Sequence, residues 1–126
     1  MARRVDSIQE GSAPELPPAE RERVYWDELR RMMLRTTRIR GDRLVALGVL
    51  TLMRFGDLQG DRRPIRSGLL VAEAGGTIGW EYEDGTLRVA VRGYAPRLPR
   101  PLYALQSAVH VHLSKRYLRR VQSQRL

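Results

Sequence analysis

Two histidines and a tyrosine near the carboxyl end are the residues whose types could perform chemistry. His110 and His112 flank a single valine, and Tyr117 follows five residues later. Two imidazoles on one metal ion, with a tyrosine as nucleophile, would suit cleavage of a nucleic-acid strand. Residues two apart on a helix point about 200° away from each other, so both rings cannot reach one ion. Because the surrounding pattern is helical, we expect no metal and no cofactor, and a metal-dependent nuclease is only a third hypothesis.

Paired carboxylates could support acid–base chemistry if their environments separated their pKa values. Asp27 and Glu28 lie in a predicted helix, and Glu81, Glu83 and Asp84 lie around a predicted turn. Both groups are embedded among arginines on faces that we expect to be exposed, which is typical of solvated surface. The chain has no cysteine and no glycine loop that is followed by a helix and a lysine. We therefore predict that the protein is not an enzyme.

The length and composition indicate one soluble domain. A chain of 126 residues with 42% hydrophobic and 29% charged residues can bury a core without disulfides or metals. The longest near-continuous apolar stretch, residues 44–53, is about half of the ~20 residues that a bilayer span needs. No hydrophobic stretch follows the arginines near the amino end, which excludes a secretory signal. We expect a cytoplasmic location and no membrane contact.

The positive charge is concentrated in the last third of the sequence. Up to Gly85 the chain holds 14 basic and 14 acidic residues, whereas the remainder holds nine basic residues and no acid, which gives the net charge of +9. This asymmetry predicts contacts with phosphate groups or with a partner protein. The candidate contact residues are Arg88, Arg92, Arg97, Lys115, Arg116, Arg119 and Arg120.

The amino-terminal half predicts an arm followed by helices. Residues 1–18 are rich in proline and poor in apolar groups, so they are predicted to form a flexible arm. Residues 19–38 show helical spacing, with Tyr25, Leu29, Met32, Met33 and Thr36 along one face. Residues 44–55 are apolar on nearly all sides, which favours a buried helix and leaves a buried strand open.

Two glycine turns predict a three-stranded antiparallel meander. Asp84-Gly85 suits a two-residue turn that would pair Tyr82 with Leu87, Trp80 with Val89, and Ile78 with Val91. Gly75-Gly76 suits a second such turn, which would pair Val71 with Trp80 and Leu69 with Tyr82. All of these side chains fall on one apolar face, with Glu81 opposite Arg88 on the other.

The carboxyl-terminal part predicts a loop and a final helix. Residues 94–101 contain three prolines and are predicted to form a loop. From about Leu102 onward, apolar residues recur every four positions, at Leu105, Val109, Leu113, Tyr117 and Val121. The predicted fold class is therefore α+β: a three-stranded antiparallel meander packed against two to three helices, with residues 19–126 as the single domain and an extended amino-terminal arm.

Three short motifs in this order resemble the neck, or tail-completion, proteins of tailed bacteriophages. Those proteins show a Pro-Val-Asp-Thr-Gly-x-Leu segment at a strand, a Tyr-Ala after a later strand, and an Arg-Pro-Phe before the closing helix. The matching residues are Pro64, Ser67, Gly68, Leu70, Tyr94, Ala95, Arg100 and Pro101, with Leu102 in place of the phenylalanine. Arg66 replaces the usual acid, and Pro96-Arg97-Leu98 replaces the acidic-x-Gly that normally follows Tyr-Ala.

The resemblance implies a structural role in a virion assembled in the host cytoplasm. Such a protein would form a homo-oligomeric ring in the joint between the head portal and the tail, next to neighbouring ring proteins and with possible non-specific DNA contact. Closed rings need head-to-tail interfaces between different surfaces of neighbouring copies. The alternative, based on the basic last third, is a small nucleic-acid-binding accessory protein.

Overall fold

A computed structural model describes residues 3–32, 37–40, 43–46 and 50–123 of the chain. The fold class is α+β, as predicted. The elements, in chain order, are β1 (Val5–Ser12), α1 (Pro18–Met32), β2 (Thr37–Arg40), β3 (Arg43–Ala46), β4 (Leu50–Phe55), β5 (Arg62–Ser67), β6 (Val71–Glu73), β7 (Gly76–Glu83), β8 (Thr86–Pro96) and α2 (Arg100–Ser123).

One large antiparallel sheet replaces the predicted three-stranded meander. Its strands follow one another in the order β1-β8-β7-β5-β4-β3-β2, and β6 pairs separately with the far part of β8. The predicted meander was too small because β8 also pairs with β1, from the far amino-terminal end of the sequence, and because β5 continues the sheet into β4, β3 and β2. Pairing between distant segments leaves no turn signal that a local pattern can reveal.

The β7–β8 hairpin confirms the register that the Asp84-Gly85 turn predicts. Trp80 lies opposite Val89, Tyr82 opposite Leu87, and Glu81 opposite Arg88. Asp84 has a φ of 49° and Gly85 a φ of 80°, so both central residues have the positive φ that a type I′ turn requires. This hairpin contributes Trp80 and Val89 to the core with no exposed surface.

The second predicted turn, Gly75-Gly76, does not form a two-residue hairpin. Only Gly75 has a positive φ, and Gly76 instead packs against the main chain of Gly93 and Tyr94. The neighbour of β7 is therefore β5, with Ile65 opposite Gly76, whereas Val71 lies opposite Pro96 of β8. The predicted pairs of Val71 with Trp80 and of Leu69 with Tyr82 are wrong.

The amino-terminal segment corrects the prediction of a flexible arm over residues 1–18. Val5–Ser12 forms the strand at one end of the sheet order, and it pairs with β8 from Val5 opposite Tyr94 to Ser12 opposite Thr86. Gly11 faces α2, where a Cβ at this position would lie 3.2 Å from Gln122 Nε2 and 3.8 Å from Leu118. Main-chain pairing with β8 orders a segment whose apolar content alone is low.

The apolar stretch 44–55 forms strands and not the favoured helix. Arg43–Ala46 pairs with Leu50–Phe55, and residues 47–49 lie outside the described part of the chain. Leu44, Met53 and Phe55 contribute to the core or pack against it. A short run of apolar residues fits a buried strand and a buried helix equally well, so its periodicity could not decide between them.

The helix in the structure is shorter than the helix that the apolar spacing predicts for residues 19–38. It begins at Pro18, where proline suits the first helical turn, and α1 ends at Met32. Tyr25 and Leu29 are buried as predicted, whereas Thr37–Arg40 forms a strand. Met33 and Thr36, and the side chain of Met32, lie outside the described part of the structure.

The predicted loop at residues 94–101 is wrong for its first part. Strand β8 continues through Tyr94 and Ala95 to Pro96, because these residues pair with β1 and β6. A proline is tolerated at the end of a strand, where its missing N–H costs no internal ladder bond.

The final helix confirms the predicted element, but only three of the five apolar residues in its predicted stripe are buried. Leu113, Tyr117 and Val121 of α2 are buried in the core, whereas Leu105 is 66% exposed and Val109 is 37% exposed. In the part of the chain that the structure describes, neither α1 nor α2 combines the length and apolar character of a membrane-crossing helix.

Candidate functional site

The two histidines lie on α2 and face different surroundings. The Nδ1 atom of His110 lies 3.4 Å from the hydroxyl oxygen of Tyr25 in α1, whereas His112 is exposed. Positions two apart on a helix point in nearly opposite directions, so the rings do not converge on one point. Among the described residues, no group of three or more histidine, cysteine or acidic side chains could hold a metal ion.

The tyrosine that would serve as a nucleophile lies within the core. Tyr117 has no exposed surface, and its ring packs edge-on against Tyr25 at a centroid distance of 5.3 Å. Burial raises the pKa of Tyr117 and of Tyr25, which disfavours the phenolate form that would attack an electrophile. Burial likewise lowers the pKa of His110 to about 4, so this imidazole is neutral near pH 7.

Glu28 corrects the prediction that the paired carboxylates are exposed. Its side chain is 7% exposed and accepts hydrogen bonds from Arg116 Nε at 2.8 Å and from Arg120 Nη1 at 3.1 Å. Burial alone would raise the pKa of Glu28, but the hydrogen bonds from these two arginines outweigh burial and lower it. Glu28 therefore acts as an ionised clamp between α1 and α2.

Glu81 likewise pairs with two arginines, on the outer face of the sheet. Its carboxylate lies 3.0 Å from Arg92 Nη2 and 3.6 Å from Arg88 Nη1, and Arg88 also lies 3.0 Å from Glu10 of β1. Glu83 and Asp84 are exposed, as predicted. Four of the seven predicted cationic contact residues, at positions 88, 92, 116 and 120, are thus held in ion pairs within the chain.

The other three candidate cations are exposed and have no ion pair with another described residue. Arg97 follows the end of β8, and Lys115 and Arg119 lie on the outer side of α2. Arg100, which opens α2, is also exposed and unpaired within the described residues. The basic residues of the last third therefore fall into two groups: those that pair with acids within the chain, and exposed ones that have no ion pair with a described residue.

The motif residues of the first two segments meet at one point between the sheet and α2. The Tyr94 hydroxyl donates a hydrogen bond to the Leu70 carbonyl oxygen and accepts one from Gln106 Nε2 at 2.8 Å. The main-chain N–H of Leu70 donates to the Leu52 carbonyl oxygen at 3.0 Å. Tyr94 thereby joins β8, the turn before β6, β4 and α2.

Gly68 lies in the turn that carries Leu70, and the remaining motif residues lie in β5, β8 and α2. Gly68 has a φ of 130°, and a Cβ at this position would lie 2.7 Å from Met53 Cα. The carbonyl oxygen of Pro64 accepts a hydrogen bond from the Gly56 N–H at 2.8 Å. Ala95 is buried, Ser67 is exposed at the end of β5, and Arg100 and Pro101 are exposed at the start of α2.

An apolar groove lies beside this junction. It is a cavity of about 390 Å³ between α1, the β3–β4 hairpin, the inner face of the sheet and the first half of α2. Leu102, Leu105 and Val109 of α2 form one wall, and Leu44, Leu52 and Met53 line it from the hairpin. We call this cavity the α2 groove.

The sequence pattern did not reveal the α2 groove, because an apolar stripe does not show which of its residues a neighbouring element covers. No residue type or spacing in α2 distinguishes the exposed Leu102, Leu105 and Val109 from its buried apolar residues. Gln106, which joins Tyr94 at the edge of the groove, carried no signal in the sequence. Comparison with protein-family models, with curated proteins and with solved structures found no match to this chain.

Proposed function

We propose that this chain is a non-enzymatic structural component of a phage-like virion, which joins the head portal to the tail by ring assembly. Its ligands in this role are copies of itself and neighbouring ring proteins, and its side chains perform no turnover. The proposal rests on the order of the sequence motifs together with a surface that is suited to docking.

The observation that carries the proposal is the exposed apolar wall of the α2 groove. Leu102 is 52% exposed and Leu105 is 66% exposed, although both lie on a helix that is buried along its second half. Burying a leucine side chain is worth roughly 1.5–3 kcal/mol, so exposing several together is unfavourable for an isolated chain. Contiguous exposed apolar surface of this kind marks interaction sites in soluble proteins.

The contact between Leu70 and Tyr94 gives the motif residues a mechanical role that suits this proposal. A surface that binds a neighbouring ring protein must be held rigidly by the rest of the fold. Tyr94 fixes the β4, β6 and β8 side of the groove to α2 through the Leu70 carbonyl and Gln106. Among the residues that carry the family resemblance, Leu70 and Tyr94 therefore connect the elements that border the groove.

The alternative, a nucleic-acid-binding accessory protein, receives less support from the ion pairs. Arg116 and Arg120 hold Glu28, and Arg88 and Arg92 hold Glu81, so these guanidinium groups would have to exchange partners to bind phosphates. Of the basic residues in the last third that the structure describes, Arg97, Arg100, Lys115 and Arg119 are exposed and have no ion pair with a described residue. Four such cations supply only a weak, salt-sensitive attraction to DNA.

Assembly can be tested with the purified full-length chain, alone and mixed with candidate portal and tail proteins encoded beside it. We expect sedimentation velocity to show discrete closed oligomers, or complexes with those proteins, that change little between low and moderate salt. A gel-shift titration serves as the comparison, because DNA affinity would fall steeply over the same salt range. A chain that stays monomeric in every mixture and binds DNA with a steep salt dependence would favour the alternative.

A further inference from the structure

Strands β1 and β2 form the two ends of the large sheet. Among the described residues, β1 pairs with β8 alone and β2 pairs with β3 alone. The Ala13 N–H donates to the Gly85 carbonyl oxygen at 3.0 Å, in the same register as the β1–β8 pairing. Because hydrogen-bonded positions alternate in an antiparallel pair, the main-chain groups of Ile8, Glu10 and Ser12 are directed away from β8. The outer edge of β1 therefore presents main-chain donors and acceptors to a further strand.

A row of alternating charges crosses the outer face of the sheet and ends at β1. Arg62 of β5 and Arg88 of β8 each lie 3.6 Å from the carboxylate of Glu81 in β7. Arg88 also lies 3.0 Å from Glu10 of β1, whose side chain is 56% exposed and has no ion pair with another described residue. Opposite charges on neighbouring strands stabilise a sheet. A strand added beside β1 is therefore favoured if it carries cations.

The strands at the opposite end of the sheet carry arginines and no acid. The basic residues of β2, β3 and β4 are Arg38, Arg40, Arg43 and Arg54. Arg40 lies opposite Arg43, and Arg43 lies opposite Arg54, so three arginines follow one another across three strands. Like charges at opposed positions disfavour pairing. An acidic strand beside β2 would relieve this repulsion, and β1 is such a strand.

Pairing between two like edges is disfavoured by the same charges. Two copies of β1 would bring the exposed acids Asp6 and Glu10 of both chains together on one face. Two copies of β2 would likewise bring together the arginines of both chains. Pairing of β1 with β2 instead places acids beside arginines, while main-chain hydrogen bonds hold the strands together. The charges therefore favour a contact between different edges, which is the head-to-tail contact that a closed ring needs.

We propose that β1 of one copy pairs with β2 of a second copy, so that neighbouring copies extend one another's sheet. Asp6 and Glu10 supply the acids of this contact, and Arg38 and Arg40 supply the cations. Closure of the contact into a ring rests on the proposed function, whereas the choice of edges rests on the strand order and the charges.

A charge-swapped pair of variants tests this contact by sedimentation velocity of the full chain. Arg38→Glu/Arg40→Glu has two acidic edges, and Asp6→Lys/Glu10→Lys has two basic edges. We expect each variant alone to associate at least about tenfold more weakly than the wild-type chain. An equimolar mixture of the two should recover association, because each acidic edge then meets a basic edge of the other variant.

A second test changes the main chain of β1 without changing its charge. Ile8→Pro removes an N–H that is directed away from β8, so the fold keeps its ladder bonds while the added strand loses one. Ile8→Pro should therefore associate several-fold more weakly than Ile8→Ser, which keeps the N–H. Arg31→Glu/Arg66→Glu reverses two exposed arginines outside β1 and β2 and should associate like the wild-type chain. Circular dichroism melts establish that each variant is folded.

Three results would overturn the edge pairing: a wild-type chain that stays monomeric alone, a folded Arg38→Glu/Arg40→Glu chain that associates like the wild type, or a mixture of folded charge-swapped variants that stays dissociated. If the Arg38→Glu/Arg40→Glu chain kept its oligomers but lost DNA binding in a gel shift, β2 would be assigned to nucleic acid instead.

The same measurements separate this contact from the proposed function. A monomeric chain that forms complexes with portal or tail proteins would reject the edge pairing alone and leave the role in the joint standing. Open filaments that depend on both edges would support the pairing of β1 with β2 and count against assembly into a closed ring.

Discussion

Glu28 of α1 accepts a 2.8 Å hydrogen bond from Arg116 of α2, and Arg120 completes the clamp at 3.1 Å. This relationship joins an acid from the charge-balanced part of the sequence to the basic segment that follows it. The positive charge of α2 is therefore partly structural. Sequence patterns showed the charge asymmetry, but they could not show which arginines it left for a partner.

Glu28→Gln should destabilise the fold, because it leaves two partly buried guanidinium groups without their shared carboxylate. We expect a loss of about 1–3 kcal/mol in the free energy of unfolding, measured with urea at neutral pH. Asp27→Asn is the matched control, since Asp27 is 29% exposed and pairs with exposed Arg23 and Arg30. The control should cost less than about 1 kcal/mol. Equal losses of unfolding free energy in both variants would contradict the role of Glu28 in joining α1 to α2.

His110 should make stability depend on pH below neutrality. Burial lowers its pKa to about 4 from the ordinary 6.5, and the titratable group facing its Nδ1 is the Tyr25 hydroxyl. A depressed pKa in the folded state means that the stabilisation is complete above pH 6.5 and is lost as the pH falls towards 4. We expect the wild-type chain to lose about 2 kcal/mol from this group between pH 7 and pH 5.

The control for this pH dependence is the neighbouring histidine. Urea unfolding at pH 7 and pH 5 should show a smaller pH-dependent loss for His110→Gln than for the wild-type chain, while exposed His112→Gln should keep the full loss. The pKa of Glu28 is lowered below its ordinary 4.5, so its stabilisation is lost only at more acidic pH and does not mask the comparison. The same pH dependence in all three proteins would count against a buried neutral His110.

Val89→Asp should unfold the protein or cost several kcal/mol, because Val89 and its cross-strand partner Trp80 have no exposed surface. Arg88→Gln changes the next residue on the opposite face of the sheet. It loses partly exposed ion pairs with Glu10 and Glu81, and Glu81 keeps its ion pair with Arg92, so it should cost no more than about 1 kcal/mol. Circular dichroism melts of both variants check the register, which would be wrong if Val89→Asp melted like the wild-type chain.

Gly68→Ala should be more damaging than Gly60→Ala, although both glycines have positive φ values, of 130° and 67°. A Cβ at Gly60 would meet nothing within 4 Å, so that variant carries only the left-handed backbone cost of roughly 1–2 kcal/mol. A Cβ at Gly68 would collide with the main chain of Leu52 and Met53. We expect Gly68→Ala to lose at least 1 kcal/mol more in urea unfolding; similar losses would show that the turn can relax.

Local signals predicted the parts of the fold that short-range chemistry determines. Asp84-Gly85 specified the β7–β8 register, since both residues accept positive φ, and the four-residue spacing specified α2. The same reasoning failed where distant segments decide the structure. Gly75-Gly76 resembles a hairpin turn in isolation, but β5 pairs with that edge of β7, and β1 joins the sheet by pairing with the distant β8.

The candidate site was less predictable than the fold. The motif residues Leu70 and Tyr94 were identified, but their hydrogen bond depends on a long connection between β6 and β8. Leu105 and Val109 were identified only as part of a helical stripe, because a periodic stripe cannot show where the surface that covers it ends. The groove exists because the sheet covers only the second half of that stripe.

Electron cryomicroscopy of the native assembly that contains this chain tests the proposed ring role most directly. We expect density for the fold in a closed ring at the joint between head portal and tail. Native particles that lack the chain, or an isolated chain that turns over a substrate, would contradict a structural role in the joint.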